Sequence, residues 1–434
     1  MRFSPKIVSC FSLLFLLFAG CKKETVNDTP EITINSPTEG LQYSVGDTIN
    51  VDISLVDDEG LAQYSVALCD AALIPVQQGV GSSSLSGSAA NIQFYYPITN
   101  AQLTDGVYYL LVTVTDDAGS VARKYRSIYV TGIPKVRRGF FLVSAPNIAT
   151  VNVSKVDSAW NVSSFAGYSS DYTSSDINSY RQQLYVCGKQ TGLLRAISLS
   201  NGSTAWSQTP LPGPSDHFTN ARFMGDYLFV SYRDNRLQGY DYTGTLRIAA
   251  DVTNGFYPIR SLWSNNRMYA EQQDPGGPAG KLVVYNGSTG AGLQEAPLPL
   301  DVTELFEKDA GNIYVIGNAG SQGKLMIYDY SANGLWEPIA LPAGKVLSAA
   351  QVDGNTLLIG MDNGNVYKFT YNPIALLTHI PGVNAQKLRF DPLESEVAAA
   401  QGNALKIYDY SSSILERTVL NTDSIADVHV WYNR

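Results

Sequence analysis

The stretch KLMIYDYSANG at residues 324–334 returns as ALKIYDYSSSI at 404–414, and a shorter form, RLQGYDYTGT, stands at 236–245. Near-copies of one phrase in a chain of 434 residues mark a unit that is built more than once. Outward from each copy the same order recurs: an apolar pair, polar turn residues, then the YDY strand. The pairs are Phe141-Leu142, Leu184-Tyr185, Leu228-Phe229, Met268-Tyr269, Ile313-Tyr314, Leu357-Leu358 and Val397-Ala398. From Leu142, successive second members are 43, 44, 40, 45, 44 and 40 residues apart. The following strand keeps step through Val153, Ile197, Tyr240, Tyr285, Tyr328, Phe369 and Tyr408.

An all-β unit repeated at this period predicts a β-propeller, here of seven blades. A solenoid would need capping repeats, and none is visible. Later units open on an apolar strand (ARFM, IRSLW, VTELF, VLSAAQV, QKLRF), whereas the first, starting near Gly139, has none. The chain instead ends on an unassigned strand, DVHVWY, at 427–432. That strand is expected to complete the first blade, closing the ring and removing a free sheet edge.

Composition agrees with an all-β chain. It is 44% hydrophobic and 16% charged, with 37 Gly, 27 Tyr and 15 Phe, which favours strands and turns over helices. The formal net charge of −9 argues against a nucleic-acid partner, which demands a basic surface.

Before the repeats, residues 31–132 alternate apolar and polar positions, as at Ile49, Val51, Ile53 and Leu55. About seven short strands in about 100 residues predict a β-sandwich. Two acidic turns, Asp57-Asp58-Glu59-Gly60 and Asp116-Asp117-Ala118-Gly119, would lie at one end of an immunoglobulin-ordered sandwich. Asp57, Asp58, Asp116 and Asp117 are therefore candidates for a calcium site. The competing reading is ordinary turn chemistry, in which Asp bonds its own backbone and Gly takes positive φ. Cys69 and Cys187 sit in separate strand-like runs without metal-ligand spacing and are expected as buried free thiols.

At the N-terminus, Arg2 and Lys6 precede an apolar run, Ile7 to Phe18, too short to span a bilayer and patterned as a secretory signal. The sequence Leu17-Phe18-Ala19-Gly20-Cys21 resembles the lipobox of bacterial lipoproteins, which implies lipidation at Cys21. The expected organisation is a signal peptide at 1–20, a lipidated Cys and tether at 21–30, the sandwich at 31–132 and the propeller at 133–434. Lys22 stands where an Asp would resemble an inner-membrane retention signal.

The sandwich resembles the Ig-like modules of bacterial surface lipoproteins. The whole plan resembles Bacteroidota outer-membrane lipoproteins with YncE/YVTN-like propellers. The resemblance is architectural and carries over no binding residue. It implies a cell-surface, lipid-anchored, non-enzymatic protein that captures a small nutrient such as a cobalamin or siderophore, or a glycan. Delivery to a TonB-dependent transporter is implied, with no cofactor. Two other classes stay open: a propeller hydrolase or lyase acting on polysaccharide, and an adhesion or scaffold protein.

Candidate ligand contacts gather in loops on one expected face: Tyr168, Tyr172, His217, Phe218, Tyr232, Phe256 and Tyr257, with Arg222, Arg233 and Arg260 nearby in sequence. Aromatic faces beside polar groups suit a ring-containing ligand, while the alternative is packing between blades. No HExxH, GxSxG or Walker A pattern occurs. Asp171, Asp216, Asp301 and Glu304 are carboxylates near that face, for which turn or solvated roles compete with glycoside chemistry.

Overall fold

The computed structural model describes residues 28–79, 83–213, 216–276 and 280–434. The signal segment and Cys21 lie outside the described residues. Those described form strands and turns, with no helix, in two compact units, Met1–Pro134 and Lys135–Arg434.

The N-terminal unit packs two sheets face to face. One joins Glu31–Ser36, Thr48–Val56 and Ala89–Pro97. In the other, Gly106–Asp116 lies between Leu61–Cys69 and Val121–Thr131. Ile49, Val51, Ile53 and Leu55 meet Leu110, Val112 and Val114 in one apolar core, so the period-two pattern marks the inward faces. Cys69 is buried here, and Cys187 is buried in the other unit; both are free thiols.

The described residues of the C-terminal unit form seven four-stranded antiparallel sheets. The first strands of six are Ser174–Asn178, Phe218–Met224, Tyr257–Ser264, Asp301–Asp309, Val346–Asp353 and Lys387–Asp391. The remaining sheet takes its first strand from the end of the chain: Ile425–Tyr432 pairs antiparallel with Arg137–Asn147, from Arg137↔Tyr432 to Ser144↔Ile425. These seven first strands neighbour one another in an unbroken cycle, with Ile425–Tyr432 touching both Lys387–Asp391 and Ser174–Asn178. A closed cycle of sheets about an axis is a β-propeller.

Each junction between sheets is a separate apolar cluster, because each sheet buries both faces against its neighbours. The repeated pair supplies one residue to each face: Tyr185 packs with Phe218 and Val230, whereas Leu184 packs with Phe141 and Val153. The closing strand is fixed on both sides. Trp431 packs against the Phe141 ring at 5.3 Å, and its Nε1 donates to Gln182 Oε1 at 3.0 Å. The Tyr432 hydroxyl donates to Asp391 Oδ1 at 2.9 Å, and Arg137 pairs with Asp391 and Glu396.

The repeated phrase has a local cause. Tyr240, Tyr328 and Tyr408 are buried between sheets. The next residue, Asp, turns the chain. Asp329 Oδ1 accepts from Ser331 N at 2.8 Å and Ser331 Oγ at 2.7 Å, and Asp409 and Asp241 repeat this with Ser412 and Thr243. The Ser412 and Ser411 bonds hold the Asp409 carboxyl at about 2. YDY followed by Ser or Thr is thus a core tyrosine followed by an Asp-capped turn.

Candidate functional site

The structure separates the expected loop-face residues into two groups. His217, Phe218, Tyr232 and Tyr257 are at most 7% exposed. His217 meets the rings of Phe218 and Tyr232 at 4.6 and 5.3 Å. The Tyr232 hydroxyl bonds Tyr240 and Gln208 at 2.8 and 2.9 Å. Arg233 covers Tyr257 at 3.7 Å, Lys281 lies over Phe256 at 4.4 Å, and Arg195 lies over Tyr168 at 4.7 Å. Tyr168 stands on the strand Val162–Ser169, which is the outer edge of its sheet. These rings are engaged in packing and cation–π contacts, so they do not form one open aromatic platform. Tyr172 packs beside the core, and its hydroxyl bonds Ser175 Oγ at 2.9 Å.

Arg222 and Arg260 instead line a cavity of about 390 Å³ on the axis, walled by the seven first strands and Thr173. Four basic groups enter it, Arg222, Arg260, Lys387 and Arg389, with three acidic ones, Asp176, Glu304 and Asp427. Sequence reading placed Glu304 near the binding face and did not single out Asp176, Lys387, Arg389 or Asp427. Each stands mid-strand or at a strand start, Arg389 and Asp427 between apolar neighbours and Asp176 between Ser175 and Ile177.

The acidic groups are held by partners. Asp427 bonds Arg389 Nη2 at 2.9 Å and lies 3.7 Å from Lys387 Nζ. Burial alone would raise its carboxyl, but Lys387 and Arg389 outweigh that and hold it at about 2. Glu304 lies 3.3 Å from Arg222 Nη1. Asp176 accepts from Phe223 N and Ile177 N, both at 2.8 Å, and burial raises its carboxyl despite Arg222 and Arg389. Next to it, His429 Nε2 bonds Ser175 Oγ at 2.8 Å, and burial lowers the imidazole to about 4. A Tyr172–Ser175–His429 chain therefore ties the closing strand to the adjacent sheet.

The other loop carboxylates serve structure. Asp171 accepts from the backbone N–H groups of Lys189, Gln190, Thr191 and Gly192 at 2.7–2.8 Å. Although burial opposes it, those bonds lower its carboxyl. A Cβ on Gly192 would stand 2.5 Å from Asp171 Oδ1, so only glycine permits the approach. Asp171→Ala is expected to cost about 2 kcal/mol, since bonds to a charged acceptor are lost together; urea unfolding at neutral pH measures it. Asp216 lies 3.3 Å from Lys189 at the surface, and Asp301 is exposed.

Of the four aspartates expected to bind calcium, Asp57 and Asp116 accept bonds from their own turns. Among the described residues no three His, Cys, Asp or Glu side chains converge to hold a metal ion. Asp57 Oδ2 accepts from Glu59 N at 3.0 Å and Gly60 N at 2.8 Å, and Asp116 Oδ1 accepts from Ser120 N at 2.7 Å. These carboxylates cap their own turns. Asp117 donates its backbone N–H to Gly60 O at 2.9 Å, and Asp58 is exposed.

No protein-family model matches this chain, and no curated protein matches it. Solved structures do. The computationally designed Ika8 protein is 14% identical at a TM-score of 0.48, covering 69% of this chain and 98% of its own. A quinonprotein alcohol dehydrogenase-like protein of Bacteroides thetaiotaomicron is 14% identical at 0.44, covering 93% and 99%. The WD40 beta propeller domain of Doa1 is 11% identical at 0.46, covering 62% and 90%. Scores below 0.5 carry no statement of function, and the propeller is read from the cycle of sheets itself.

Proposed function

We propose that this chain is a lipid-anchored, cell-surface binding protein, an Ig-like module followed by a seven-bladed propeller, that takes a small polar ligand into its axial cavity. The observation that carries the reading is the cavity: about 390 Å³, lined by four basic and three acidic groups drawn from six of the first strands. Pockets of this size suit ligands of one or two sugar rings. A cobalamin exceeds it and would have to sit outside.

Binding without turnover is supported by the commitment of two of the three acidic wall groups, Asp427 and Glu304, to basic partners. Acid–base catalysis uses a carboxyl poised near working pH. In the cavity, Asp427 is held at about 2 and Glu304 is paired with Arg222. Such mutually neutralised pairs fix shape and hydrogen-bond direction. Lipidation at Cys21 would keep the protein at the outer membrane, and a TonB-dependent transporter would be the recipient.

The test is the melting of the mature chain against neutral and acidic mono- and disaccharides, amino acids, cobalamins and iron siderophores. A ligand at a hundredfold excess over its Kd adds about 2.7 kcal/mol to stability. The expected result is a shift with a small polar solute that is recovered unchanged. A shift with cobalamin alone, conversion of the solute, or no shift at all would overturn the reading.

A further inference from the structure

We propose that the axial cavity recognises a small hydroxylated carboxylate, a sugar acid, and that Arg260 takes the carboxylate group. The inference rests on the axial binding reading above and names the ligand's charge class.

The acidic groups of the wall already have partners. Asp427 is paired with Arg389 and Lys387, and Glu304 with Arg222. Asp176 accepts two backbone N–H groups. Arg260 differs. Its Nη1 donates to Asn220 Oδ1 at 3.2 Å, its Nε is buried without a partner, and it forms no ion pair among the described residues. Glu271 is the carboxyl that interacts with it electrostatically, and Glu271 is not part of the cavity wall.

The buried Nε of Arg260 does not open to the cavity, so a carboxylate would meet the Nη edge of the guanidinium, a planar forked pair of donors that matches it. Asn220, 4% exposed and itself in the wall, orients the fork before a ligand arrives. The wall itself carries four basic groups against three acidic ones, with Glu271 behind it beside Arg260. The rest of the lining suits a hydroxylated body. Asp427 and Glu304 are acceptors for hydroxyl hydrogens, and Thr173 and Gln351 add polar groups. The cavity volume accommodates one or two sugar rings.

The experiment is calorimetric titration of the mature chain with D-galacturonate, D-glucuronate and D-gluconate. Each is compared with its neutral parent, and with inorganic phosphate, at low and moderate salt. The expected result is at least one acid binding tenfold or more tighter than its parent, with affinity falling as salt rises. Arg260→Gln should abolish that preference, and Arg260→Lys, which keeps the charge but not the fork, should retain part of it. The Lys variant also answers the question if the Gln variant fails to fold. Equal binding of acid and neutral parent, an intact preference in Arg260→Gln, or tighter binding of phosphate would overturn the proposal. So would failure of all three acids to bind. If neutral sugars bind and acids show no advantage, the axial site stands and the carboxylate assignment falls. If no small solute binds, the axial site falls with it.

Discussion

Removal of residues 425–434 is expected to abolish cooperative melting of the Lys135–Arg434 unit. The deletion strips the pairing partner from Arg137–Asn147 and leaves its edge open. It removes Ile425, Val428 and Val430 from a core shared with Phe140 and Leu142. Burying one such side chain contributes about 1.5–3 kcal/mol. Three of them, with the lost sheet bonds and the Trp431 contact, rival the about 5–15 kcal/mol that hold a typical domain together. Asp427 leaves as well, so Arg389 and Lys387 would face the cavity without their partner. Calorimetry of the truncated chain measures the effect. The expected trace retains only a transition from the N-terminal unit. An unchanged main transition would mean that the ring holds without its closing strand.

The second large effect concerns Glu271. Its side chain is 1% exposed, Oε1 accepts from Val302 N at 3.2 Å, and Oε2 has no partner. Burial pushes the carboxyl from its ordinary 4.5 to about 7, against the opposing charge of Arg260. Between those values the folded chain keeps a proton that the unfolded chain has released. The stability contributed is therefore fully present below pH 4.5 and is lost as pH rises through about 7. At about 1.4 kcal/mol for each pH unit, the loss reaches about 3 kcal/mol. Glu271→Gln removes the ionisation and keeps an acceptor for Val302 N. Urea midpoints at pH 5 and pH 8 should then differ less in the variant than in the parent. The variant should also be the more stable at pH 8, by about 3 kcal/mol. Equal pH dependence in the two proteins would contradict the assignment.

The parts of the fold that were legible in sequence are those fixed by local chemistry repeated at a constant interval. Leu184-Tyr185 and Leu357-Leu358 stand out because second strands are buried on both faces, leaving no polar positions within the pair. The YDY phrase stands out because a buried tyrosine and an Asp-capped turn are both specified within five residues. The terminal strand Ile425–Tyr432 is apparent because strand counting leaves it without a unit of its own.

The site was less legible, for a physical reason. Aromatics in loops carry no sign of whether their faces meet solvent or a neighbouring sheet, and Phe218 and Tyr232 meet a sheet. The cavity groups come from six different first strands, so no spacing in sequence joins Asp176 to Arg222, Glu304, Arg389 and Asp427. A weaker signal was present. Each is a charged residue inside a short first strand, as in SSDIN, FTNARFM and KLRFD, where both faces of the sheet are otherwise packed. A charge there has the axis as its exit.

Amide hydrogen exchange of residues 22–434, with and without a small solute found to raise the melting temperature, tests the proposed axial site most directly. The predicted result is slower exchange on the first strands, chiefly Ser174–Asn178, Phe218–Met224 and Lys387–Asp391, and little change elsewhere. Protection confined to the loops around Arg233 and Phe256, or to the N-terminal unit, would contradict it.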